Sequence, residues 1–149
     1  MTAVRLRAMF IAATVAWAVA IVAATFVASR AHASPIASTV ILGVYGIGSL
    51  VCHQLPERSY HLWSAQMPVC ARCAGIYFGA IPGIVAARAV RMRSARAALA
   101  LGVTPTLITL AYEWTTGDMP SHAIRSAVGV PIGVVVAWLV VAAADNQVN

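Results

Sequence analysis

Residues 9–28 read MFIAATVAWAVAIVAATFVA, a run with no charged residue, no proline and no glycine. Its length matches the ~20 residues an α-helix needs to cross the hydrocarbon core of a bilayer. The run is continuously apolar rather than alternating, and an unpaired strand in lipid would leave its backbone polar groups unsatisfied, so it reads as a helix. Four further apolar stretches follow at 35–51, 70–90, 97–112 and 126–144, the later ones short but bracketed by charged side chains that can reach the interface. The fold class expected is therefore all-α: a polytopic helical membrane protein of about five transmembrane helices, with residues 1–149 forming a single membrane domain.

Composition agrees. Hydrophobic residues make up 61% of the chain and charged residues only 9%, against about 25% charged in a typical soluble domain. All ten basic residues are arginine, set against four carboxylates, for a net charge of +6. The arginines bracket apolar runs instead of forming a basic stripe, which points to membrane topology and argues against nucleic acid. The partner implied is the lipid bilayer, and the location a multi-pass protein of the cell membrane.

Arg88, Arg91, Arg93 and Arg96 form the densest positive cluster, between the third and fourth helices. The positive-inside rule assigns that connection to the cytoplasm and leaves the loops 52–69 and 113–122 outside. Arg5 and Arg7 also favour the cytoplasm, and with five crossings both demands cannot be met. A cleaved leader ending at Ala31-His32-Ala33 would remove the conflict, but the apolar run is longer than an ordinary signal core of about 7–15 residues, so the uncleaved reading is retained. Gly43, Gly46 and Gly48 on the second segment, and Gly75, Gly79 and Gly83 on the third, offer small surfaces for close helix approach. Pro82, Pro105 and Pro131 lie inside three segments and are expected to kink them.

All three cysteines fall in one window: Cys52-His53, sixteen intervening residues, then Cys70-Ala71-Arg72-Cys73. A C-x-x-C pair opening a helix can present both sulfurs on one side, where backbone N–H groups favour thiolates. Ligand types and spacing suit a tetrahedral site, with Cys52, His53, Cys70 and Cys73 as ligands and Zn2+ as the ion. Glu57 and Glu113 are the candidate general bases, with ion pairing to Arg58 or Arg125 as the plainer role. Arg58 and Arg125 are also candidates to clamp an anionic cofactor or substrate. Helix counting brings Asp118 and His122 to the same face, and Tyr60, Trp63, Tyr112 and Trp114 read as an interfacial aromatic belt.

At these residues the chain resembles a family of small prokaryotic predicted membrane proteins known as a domain of unknown function. The resemblance rests on Cys52-His53-Gln54, Arg58-Ser59 and Pro68-Val69-Cys70-x-Arg72-Cys73-x-Gly75-Ile76-Tyr77-x-Gly79, with a weaker patch at Arg125, Gly129 and Gly133, and spans roughly residues 45 to 135. It implies a membrane protein and carries no established activity. Zinc deaminases share a P-C-x-x-C step, but here Val69 separates Pro68 from Cys70 and Glu57 stands four residues past His53, so that chemistry is rejected. Three functions stay open. One is a metal site at the membrane surface, structural or serving hydrolysis of a lipid-like substrate. The others are thiol–disulfide or quinone oxidoreduction through Cys70 and Cys73, and a non-catalytic membrane subunit.

Overall fold

A computed structural model describes residues 3–30, 34–89 and 94–146. The leader-like Ala31-His32-Ala33 and the arginines Arg91 and Arg93 lie outside them. Among the described residues, five α-helices carry the fold: α1 (Ala3–Ala28), α2 (Pro35–Val51), α3 (Ala71–Ala89), α4 (Ala95–Thr116) and α5 (His122–Asn146). The chain is an all-α helical membrane protein, and α1, α4 and α5 are long and apolar enough to cross a bilayer.

Local chemistry sets the helix ends. Ser34 and Ser94 each accept a hydrogen bond from the N–H three residues on, at 3.3 Å, capping α2 and α4. Gly117 adopts φ 74° and stops α4 in the left-handed conformation that glycine tolerates best. Three helices run further than their apolar cores. α1 begins at Ala3 and takes in Arg5 and Arg7; α4 carries Glu113 and α5 carries Arg125, both expected at loop edges. Glu113 and Arg125 are tolerated on helices because each finds a charge partner there.

The centre of the bundle is a glycine seam between α3 and α5. A β-carbon at Gly75, Gly79 or Gly83 would overlap backbone atoms of Ser126, Val130 or Val134, and one at Gly129 or Gly133 would overlap the carbonyl of Arg72 or Ile76. The constant offset along the seam makes the two helices parallel. Close backbone approach substitutes for the hydrophobic drive that lipid does not supply. α4 runs antiparallel to α5, with Thr106 Oγ1 donating to the Val128 carbonyl at 2.8 Å. α1 runs antiparallel to both α3 and α5: Arg7 pairs with Asp145, Trp17 meets Tyr77 edge-on at 5.9 Å, and Phe26 meets Trp63 at 5.2 Å.

The segment 52–70 is not an irregular loop. After a 3-10 turn at Pro56–Arg58 it forms an antiparallel hairpin, β1 (Ser59–Leu62) with β2 (Ala65–Cys70), pairing Leu62 with Ala65 and Ser59 with Cys70. Trp63 and Ser64 make the two-residue turn at φ 51° and 69°, both in the left-handed region that tight hairpins require. Met67 and Val69 of β2 are buried against Ile21 of α1 and Ala74 of α3, so the hairpin is part of the core. Gly48 of α2 lies against the Pro68 carbonyl with no room for a β-carbon. Gln54, at φ 49°, fastens the end of α2 by donating to the carbonyls of Tyr45 at 2.8 Å and Pro68 at 2.7 Å. Gln66 donates back to the Gln54 carbonyl at 2.6 Å, and the Tyr45 hydroxyl donates to the Gln66 carbonyl.

Candidate metal centre and arginine cavity

Two helix ends and one strand end bring the cysteines together. Cys52 caps the C-terminus of α2, Cys70 closes β2, and Cys73 stands in the first turn of α3. Their Sγ atoms all lie within 4.8 Å of one another, and all three thiols are free. The Cys70 N–H donates to Cys52 Sγ at 3.2 Å. A Cys73 S–H donating to the Cys70 sulfur outweighs the opposing effect of burial and holds the Cys70 thiol down to about 5, with backbone N–H groups and Cys52 adding to the effect. The lowering favours the thiolate, the form that binds metals and attacks electrophiles.

Of the four expected ligands, the structure brings together the three cysteines, and His53 is not part of that set. The physical reason is local. Cys52 has extended backbone angles, φ −149° and ψ 138°, and extended backbone turns successive side chains to opposite sides. His53 is exposed but lines the same cavity as the cysteines.

That cavity, about 360 Å3, is walled by Cys52, Cys70 and Cys73 together with Arg58, Arg72 and Arg125. Arg125 is 1% exposed, and its Nε and Nη1 atoms have no hydrogen-bond partner. The Nε atoms of Arg58 and Arg72 are likewise buried and unpartnered. Glu113, on α4, is the carboxylate that balances this cluster: Arg72 Nη2 donates to its Oε1 at 2.7 Å, and Arg125 Nε stands 3.8 Å from the same atom. Arg72 also donates to Thr109 Oγ1 at 3.3 Å.

Arg72 is the residue that sequence reasoning left out of the site. A charge in the first turn of an apolar helix, flanked by two cysteines, was the signal for it. Among the two candidate bases, Glu113 is engaged by arginines and Glu57 is exposed; neither lines the cavity. The turn containing Glu57 docks on α5, where its carbonyl meets His122 Nε2 at 3.1 Å. Tyr60 extends the same contact through Ser126 Oγ at 2.8 Å, and Ser126 donates to the Ala71 carbonyl at 2.9 Å. Asp118 is exposed beyond the end of α4.

These features define a multi-helix membrane protein with a three-cysteine cluster able to hold a metal ion. The chain belongs to the family of predicted membrane proteins designated DUF2085, whose model matches residues 52–139, from the first cysteine into α5. It is 48% identical over 42 residues to the uncharacterized protein MJ1492 of Methanocaldococcus jannaschii, covering 28% of this chain and 27% of that protein. It is 30% identical over 92 residues to an uncharacterized protein of Methanothermobacter thermautotrophicus, covering 60% of this chain and 83% of that one. The chain thus spans about a quarter of the first relative and most of the second. No solved structure matches it.

Proposed function

We propose that Cys52, Cys70 and Cys73 bind one zinc ion as thiolates and leave its fourth position open to the arginine-walled cavity. The carrying observation is the mutual approach of the three sulfurs within 4.8 Å. A tetrahedral zinc with Zn–S bonds of about 2.3 Å sets its sulfurs about 3.8 Å apart, a spacing small side-chain rotations can reach. Three protein ligands with an open position are the arrangement of zinc sites that act on a ligand, whereas structural sites are closed by four. Such an ion can activate a water for hydrolysis of a lipid-like substrate. His53, which lines the cavity but stands outside the sulfur cluster, is then better suited as proton acceptor than as ligand. Detergent-purified protein kept reduced should carry about one zinc per chain, lost on Cys70→Ser. Metal-free protein with three freely titrating thiols would refute this reading.

The approach of the free Cys70 and Cys73 sulfurs to within 4.8 Å, with the Cys70 thiol lowered by its neighbour, favours a second reading, thiol–disulfide exchange through this pair. It predicts a Cys70–Cys73 disulfide in protein purified without reductant, reducible by a small dithiol. Zinc retention with all three thiols protected from alkylation would exclude it.

Helix direction supports a four-crossing topology. Because α1 is antiparallel to α3, the end of α1 and the start of α3 share a side, and α2 with its hairpin must return the chain to that side. α1, α3, α4 and α5 would then be the crossings. Arg5 and Arg7 near the start of α1 and Arg96 near the start of α4 fall together at the end opposite the cysteines. The positive-inside conflict disappears, and the cavity faces the exterior.

A further inference from the structure

We infer that the cavity beside the cysteines is a binding site for a phosphate group, with Arg58, Arg72 and Arg125 as its cradle. Arg125 carries the argument. A guanidinium 1% exposed, whose Nε and Nη1 make no hydrogen bond and whose carboxylate partner, Glu113, stands 3.8 Å off, is a buried charge with donors left unsatisfied. Buried donors left in that state are costly, and a turn of the guanidinium toward an oxyanion in the cavity it lines would satisfy them. The Nε atoms of Arg58 and Arg72, on the same walls, are in the same condition.

Charge and direction select the ligand class. Three guanidinium groups against Glu113 leave two positive charges, and a divalent ion on three thiolates adds one negative, so one positive charge awaits an anion. The cradle draws on three elements: the turn before β1, the first turn of α3 and the first turn of α5. Donors converging from three directions suit the tetrahedral oxygens of a phosphodiester better than a planar carboxylate. The positive ends of the α3 and α5 dipoles reinforce the preference. The inference rests on the metal reading for the charge count, while the arginine geometry stands without it.

Native mass spectrometry of the full chain in detergent tests this, with inorganic phosphate, dihexanoyl phosphatidylglycerol and uncharged dihexanoylglycerol as probes and zinc content recorded in the same spectra. Saturable binding of about one phosphate-bearing probe per chain is expected, with no binding of dihexanoylglycerol. Binding of the phospholipid alone assigns the group to a lipid headgroup, and equal competition by phosphate assigns it to the free ion. Arg125→Gln and, on the hairpin side where folding is less at risk, Arg58→Gln should each weaken binding by about tenfold or more. Absence of saturable binding, or full binding in the Arg58→Gln protein, would overturn the proposal. Zinc present without phosphate binding rejects the cradle alone; phosphate binding without zinc rejects the metal reading alone.

Discussion

Arg72 of α3, which walls the cysteine cavity, and Glu113 of α4 form an ion pair of 2.7 Å, with side chains 13% and 8% exposed. The same carboxylate lies 3.8 Å from Arg125 of α5, so one acidic residue ties three helices together. Breaking a buried pair by removing one partner strands the other charge, at a typical cost of about 3–5 kcal/mol. Glu113→Gln should therefore lower the thermal midpoint sharply in detergent. Adding Arg72→Gln to it should recover part of the loss, as a coupled pair does in a double-mutant cycle.

The glycine seam makes a second prediction. Gly79 and Gly133 sit where a β-carbon would meet backbone rather than a movable side chain. Gly79→Ala and Gly133→Ala should each destabilise the chain by about 1–3 kcal/mol, the usual cost of overpacking. Gly43 has open space where a β-carbon would go, and Gly43→Ala should be nearly neutral. Thermal unfolding followed by circular dichroism separates the three.

Ser64 occupies a left-handed position at φ 69° without being glycine. Residues with a β-carbon are strained there by about 1–2 kcal/mol. Ser64→Gly is expected to stabilise the hairpin by about 1 kcal/mol while Trp63 keeps its contact with Phe26. An unchanged or lower melting temperature would mean the turn carries no such strain.

Reporter fusions test the topology. Four crossings require the N- and C-termini to face the same compartment, with an insertion after Arg30 sharing a side with one at Gly117. If α2 also crosses the bilayer, the two termini must report opposite sides.

The helices were legible because lipid leaves a chain few alternatives: long apolar runs in 9–28 and 126–144 announce α1 and α5 through composition alone. The spacing of Gly75, Gly79 and Gly83 marked the packing face of α3, although the sequence could not say that α5 would be its parallel partner. The hairpin was hidden because Trp63-Ser64 lacks the Asn-Gly or Asp-Gly chemistry that announces a tight turn. The cysteine cluster was visible as a window of residues. The separate course of His53 depends on the extended backbone at Cys52, and the Arg72–Glu113 pair on which helices become neighbours; neither can be read from spacing.

The central claim is a zinc ion held by three thiolates with one position open, and X-ray absorption at the zinc edge of the reduced, purified protein measures it most directly. The expected signal is three sulfur scatterers at about 2.3 Å and one nitrogen or oxygen near 2.0 Å, retained unchanged in His53→Gln. Protein that carries no zinc, or that loses the light scatterer and the metal together on His53→Gln, would contradict it.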